Sequence, residues 1–94
     1  VEALRKAGRT VAITSRLGDG FPDLVVARLN GSGLARLIEV KPLEALSKDM
    51  LAGGPWSMSR RKLLTPAERK FHESWPVLIP IVVSIEEALE VTRC

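Results

Sequence analysis

Cysteine is nearly missing from this chain: one residue, Cys94, stands at its last position. A single thiol cannot form an internal disulfide. With one histidine, His72, there is also no Cys/His cluster of the kind that holds zinc. No apolar run approaches the roughly 18 residues that a membrane-spanning helix needs, so no membrane partner is expected. Internal repeats, low-complexity linkers and a recognisable signal peptide are all missing, although the chain starts at Val1 and not at Met. A reducing, cytoplasmic compartment is the expectation. At 94 residues, one domain spanning positions 1–94 is expected, with room for one modest core.

What is present reads as a folded protein. Hydrophobic residues make up 46% and charged residues 27%, which argues against disorder. Fourteen Lys and Arg outnumber eleven Asp and Glu, for a net charge of +3. That surplus is compatible with a polyanionic partner but is equally an ordinary solvated surface.

Pattern along the chain sets the elements. The segment "VEALRKAG" reads as a helix end stopped at Gly8. "RTVAIT" is a short strand, and "SRLGDGFP" is a loop. "DLVVARL" and "LARLIEVK" are strands joined by the turn Asn30–Gly33, and Pro42 ends the second of them. A short helix follows and breaks at "GGP". In "TPAERKFHESW", Thr65 caps a helix, Pro66 takes its first position and Glu68 completes a capping box. Ala67, Phe71 and Trp75 share one face of that helix, and Trp75 is expected in the core. "PVLIPIVVS" reads as one buried strand, and Ser84 with Glu87 opens a closing helix through a second capping box. The order α-β-β-β-(α)-α-β-α predicts an α/β fold, a small mixed sheet with helices packed on it.

Charges interrupt the hairpin. With its turn centred on "NGSG", Val25 is expected opposite Glu39, and Asp23 opposite Lys41. Alternation then puts Asp23, Val25, Glu39 and Lys41 on one face, away from a core made by Leu24, Val26, Ile38 and Val40. One reading is a cross-strand salt bridge of Lys41 with either carboxylate, worth about 0–1 kcal/mol when exposed. The other is a site for a hard divalent cation, with the lysine beside it to stabilise developing negative charge. Glu-x-Lys alone is a weak signal, since chance supplies about 0.4 such triplets in a chain of this composition.

Context sharpens it. The stretches "GFPDLVV" (Gly20–Val26), "LIEVK" (Leu37–Lys41), "LTPAERKFHESW" (Leu64–Trp75) and "PIVVSIEEAL" (Pro80–Leu89) together resemble the PD-(D/E)XK nuclease superfamily. Within it the chain is most similar to small stand-alone VRR-NUC proteins of bacteria and phages. The resemblance implies a restriction-endonuclease-like mixed central sheet flanked by helices. It implies a Mg²⁺- or Mn²⁺-dependent endonuclease that hydrolyses DNA phosphodiester bonds, structure-specific on branched or junction DNA in the manner of Holliday junction resolvases. The setting would be the cytoplasm of a bacterium, or of a host cell if the chain is phage-encoded. At matching positions, Asp23, Glu39 and the Val40 carbonyl would bind metal, and Lys41 would position or activate water. The family places a glutamine one turn into the following helix, where this chain has Glu68. That change keeps the reach but adds a charge and removes the amide donor. Glu2 is the one candidate for the acidic residue that the family carries on its N-terminal helix.

Arg60, Arg61 and Lys62, with Arg69 and Lys70 after them, form a candidate track for DNA phosphates; a solvated basic loop is the plainer reading. His72 follows Glu68 by one turn and is read as packing or hydrogen-bonding, not as a general base. Trp56 is read as stacking on a base or on a partner subunit. The apolar surface left by so small a sheet suggests a homodimer. A DNA-binding module of the same fold, with weak or lost catalysis, is the alternative.

Overall fold

The computed structural model describes residues 1–28 and 35–93; the expected turn Asn30–Gly33 and Cys94 lie outside them. Eight main elements follow in order: α1 (Glu2–Lys6), β1 (Arg9–Ile13), β2 (Leu24–Arg28), β3 (Ala35–Val40), α2 (Lys48–Gly53), α3 (Pro66–Ser74), β4 (Ile81–Val82) and α4 (Ile85–Val91). Short 3₁₀ turns cover Ser15–Leu17, Leu43–Ala45 and Met58–Leu63. The protein is a small α/β fold with a four-stranded mixed sheet in the order β1-β2-β3-β4. The first three strands run antiparallel, and β4 joins β3 in parallel.

The hairpin register differs from the expected one by two residues. Leu24 stands opposite Ile38 and Val25 opposite Leu37. Centring on the turn motif misplaced the pairing by one pleat repeat. A two-residue shift changes no side chain's face, since the pleat repeats every two residues. One step beyond Leu24, the register sets Asp23 level with Glu39, not Lys41.

One face of the sheet carries Leu24, Val26, Ile38 and Val82, packed with Leu4 of α1 and with Ala88 and Val91 of α4. Val40 shares the parity of this face but is 44% exposed beside α1 and α4, so it is not a core residue. The other face is covered too. Glu39 is fully buried there, beside Ile81 of β4, with His72 of α3 over it. The expectation that the core leaves this face alone is therefore corrected.

Only Ile81 and Val82 of the expected strand "PVLIPIVVS" pair in the sheet, while Val77 and Leu78 are exposed. Pro76 and Pro80 explain this, because neither can donate to a ladder. The outward edge of β4 is closed: Ile81 N–H donates to the Pro55 carbonyl, and the Ile81 carbonyl accepts from Arg60.

Candidate active site at the carboxylates of β2 and β3

The turn that delivers Asp23 is pinned on both sides. Thr14 donates through its N–H to the Asp23 carbonyl and through its hydroxyl to the Pro22 carbonyl. Gly20 has a φ of +77°, and a Cβ there would sit 2.1 Å from the Ala67 carbonyl oxygen. Only glycine lets this loop lie against the first turn of α3. Asp23 then accepts the Val40 N–H at 2.8 Å, which fixes its carboxylate at the end of β3.

Glu39 is the unusual member. It has no solvent exposure, and its carboxyl meets His72, with Nε2 3.3 Å from Oε1, and shares a hydrogen bond with Asp23 when protonated. With the carboxyl ionised, its Oε2 and the His72 Nδ1 are buried with no partner. Burial pushes the Glu39 carboxyl up to about 9; the adjacent Asp23 and, more weakly, Glu68 add to the rise, and Lys41 opposes it. Burial likewise holds His72 below its ordinary value, and the charge of Arg61 adds to that. Two adjoining carboxyl groups, one of them buried and holding its proton, form a pair that a hard cation could bring to the ionised form. Asp23 and Glu39 are therefore the two candidate ligands for a divalent ion that the structure brings together.

Lys41 does not pair with either of them. Its Nζ lies 2.9 Å from Glu68 Oε1, and both side chains are mostly buried. The same oxygen accepts the Thr65 N–H at 2.9 Å, while Thr65 Oγ1 accepts the Glu68 N–H, so the capping box is complete. Burial disfavours ionisation of Glu68, but the Thr65 N–H and Lys41 outweigh it and hold the carboxyl below its ordinary value. Glu68 therefore caps its helix and orients the lysine at once.

No family model matches this chain, and no curated protein or solved structure matches it.

The remaining candidates separate. Glu2 is exposed in the first turn of α1. Among the described residues, no three His, Cys, Asp or Glu side chains are grouped to hold an ion. Arg60 must be withdrawn from the phosphate track, because it is fully buried. Its guanidinium donates to the carbonyls of Met50, Leu51 and Ile81 and forms a bidentate pair with Glu87. That pair also explains why the second capping box is only half made. Ser84 accepts the Glu87 N–H, but the Glu87 carboxylate goes to Arg60 and the Val83 N–H instead. Arg61, Lys62 and Arg69 border a shallow cavity of about 260 Å³ with Met58 and Glu73. Lys70 faces elsewhere, into a cavity of about 470 Å³ with Asp19, Ala67, Phe71 and Ser74.

Sequence reasoning missed the contact of His72 with Glu39. The signal was its position four residues after Glu68, which puts both on the inward face of α3. It also missed the cation–π contact of Arg36 over Trp56, at 5.1 Å, which gives Trp56 an intramolecular partner.

Proposed function

We propose that this chain is a metal-dependent endonuclease of the PD-(D/E)XK type, with the restriction-endonuclease-like fold, that hydrolyses DNA phosphodiester bonds. The observation that carries the reading is Glu39: a fully buried carboxyl against Asp23, its proton retained up to about pH 9, at the end of a strand that continues into Lys41. A carboxyl buried against a second one keeps its proton unless a cation offsets the charge, and groups so perturbed are enriched where function requires them. A bound Mg²⁺ or Mn²⁺ would be held by Asp23, Glu39 and the Val40 carbonyl, and would supply Lewis-acid polarisation and a more acidic bound water.

The chain's own groups do the rest. The Val40 N–H and the His72 imidazole fix the two carboxylates. Glu68 holds the Lys41 ammonium at the end of β3, where a fixed cation would stabilise charge developing on a phosphoryl oxygen. Arg61, Lys62 and Arg69 would take backbone phosphates away from the cut.

Supercoiled plasmid incubated with Mg²⁺ or Mn²⁺ should be nicked, and EDTA should stop the reaction. A Lys41→Ala protein that stays folded should not nick. Failure of the parent with both ions would overturn the reading. The pairing of Lys41 with Glu68 favours one alternative, a DNA-binding module without catalysis, since it engages the ammonium within the protein. That alternative predicts salt-sensitive DNA binding and no nicking.

A further inference from the structure

Three aromatic side chains, on the loop that leads into Asp23 and on α3, stack on one another. Phe21 meets Phe71 edge to face, with ring centroids 5.1 Å apart. Phe71 then stacks on Trp75 at 5.3 Å, with the planes 18° apart. The ladder starts two residues before Asp23, and its middle ring adjoins His72 in sequence. It ends in a tryptophan that is 40% exposed. This surface was expected to be core, so its exposure needs another account.

Building on the nuclease reading, we propose that the open face of Trp75 is a stacking site for an unpaired base of the nucleic-acid substrate. Phe71 covers one face of the indole, which leaves the other to continue the stack. Every base offers a π-face, so such a platform accepts single strands without sequence preference. Charge fits at the scale of the chain, whose net +3 favours a polyanionic strand; Lys70 shares a cavity with Phe71, the ring that Trp75 stacks on. The site is tied to the carboxylates twice, through the Phe21–Asp23 turn and through the seat of Gly20 on Ala67. A second copy of the chain is the competing occupant, because Val77 and Leu78 are exposed just beyond. The net charge of +3 favours a base, since it attracts a nucleic-acid strand and repels a second copy of like charge.

The test uses a Trp56→Phe background, which leaves Trp75 as the only tryptophan. The probes are a DNA hairpin with a short thymidine tail and the same hairpin with a blunt end, each in Ca²⁺ and in EDTA. The tailed hairpin should quench Trp75 fluorescence and bind more tightly than the blunt one. Trp75→Ala in the otherwise unchanged chain should weaken tailed-hairpin binding roughly five- to a hundred-fold, and blunt-hairpin binding less than about two-fold. Trp75→Phe should keep most of the tail preference. A tail that neither quenches nor adds affinity, while both hairpins bind, would overturn the stacking site and leave the nuclease reading standing. Failure to bind either hairpin would overturn both. A Trp75→Ala protein that keeps the tail preference but turns from dimer to monomer in sedimentation would assign the surface to a second copy instead.

Discussion

Glu39 ties the candidate chemistry to the stability of the fold. Its carboxyl holds a proton in the folded protein up to about pH 9, whereas in the unfolded chain it loses that proton near the ordinary carboxylate value. Between those limits the folded state binds more protons than the unfolded one, so this residue makes stability fall as pH rises. In EDTA, Glu39→Gln should flatten that decline, which thermal melts between pH 5 and 9 would show. Mn²⁺ should raise the melting temperature of the parent more than that of the variant, which keeps Asp23 but loses the second anionic ligand. Glu68 makes a second residue-scale case. Glutamine there can still close the capping box, but it would meet Lys41 with a neutral oxygen. Stability of Glu68→Gln should change by no more than about 1 kcal/mol. Its cleavage rates with Mg²⁺ and Mn²⁺ should both depart from the parent's; unchanged rates would reduce Glu68 to a cap.

Helix α3 shows how far an element can be read from its pattern. Its start was legible, because Thr65, Pro66 and Glu68 are local signals and the capping box needs only neighbours three residues apart. Its orientation was not. Apolar spacing pointed Ala67, Phe71 and Trp75 inward, yet His72 is the buried residue of the helix, and Ala67 and Trp75 are exposed. The reason lies outside the helix: the sheet face beneath it carries Glu39, so the polar stripe of Glu68 and His72 turns inward to meet it. The same limit applies to the hairpin. Alternation gave the correct faces for Asp23, Glu39 and Lys41, but a shift of two residues leaves every face unchanged, so it could not set the pairing. Arg60 was misread because its partners lie on three other segments. The depth at which α3 sits depends on Gly20. Gly20→Ala would drive a methyl group into the Ala67 carbonyl and strain a left-handed backbone position. A loss of roughly 2–4 kcal/mol in urea unfolding is expected, together with weaker Mn²⁺ binding as the turn carrying Asp23 moves off the helix.

Across the whole molecule, one side chain joins what the sheet alone does not. Arg60 links α2, β4 and α4 through three carbonyls and Glu87. The Glu87 carboxyl is held below its ordinary value, first by Arg60 and then, against the opposing effect of burial, by the Val83 N–H. A depressed carboxyl stabilises above its unfolded value and loses that contribution as pH falls through the folded one. Glu87→Gln should therefore remove part of the acid-induced loss of stability below the ordinary carboxylate range. Arg60→Met should cost about 3–5 kcal/mol at neutral pH, since it strands Glu87 and three carbonyls. The same guanidinium has a consequence for how copies of the chain can meet. Open strand edges are templates for runaway pairing, and here each border of the sheet carries an arginine: Arg60 on the Ile81 carbonyl of β4 and Arg5 on the Val11 carbonyl of β1. A strand added at either border would compete with a guanidinium for a carbonyl it needs, so both edges are poorer templates for runaway pairing than bare strands would be.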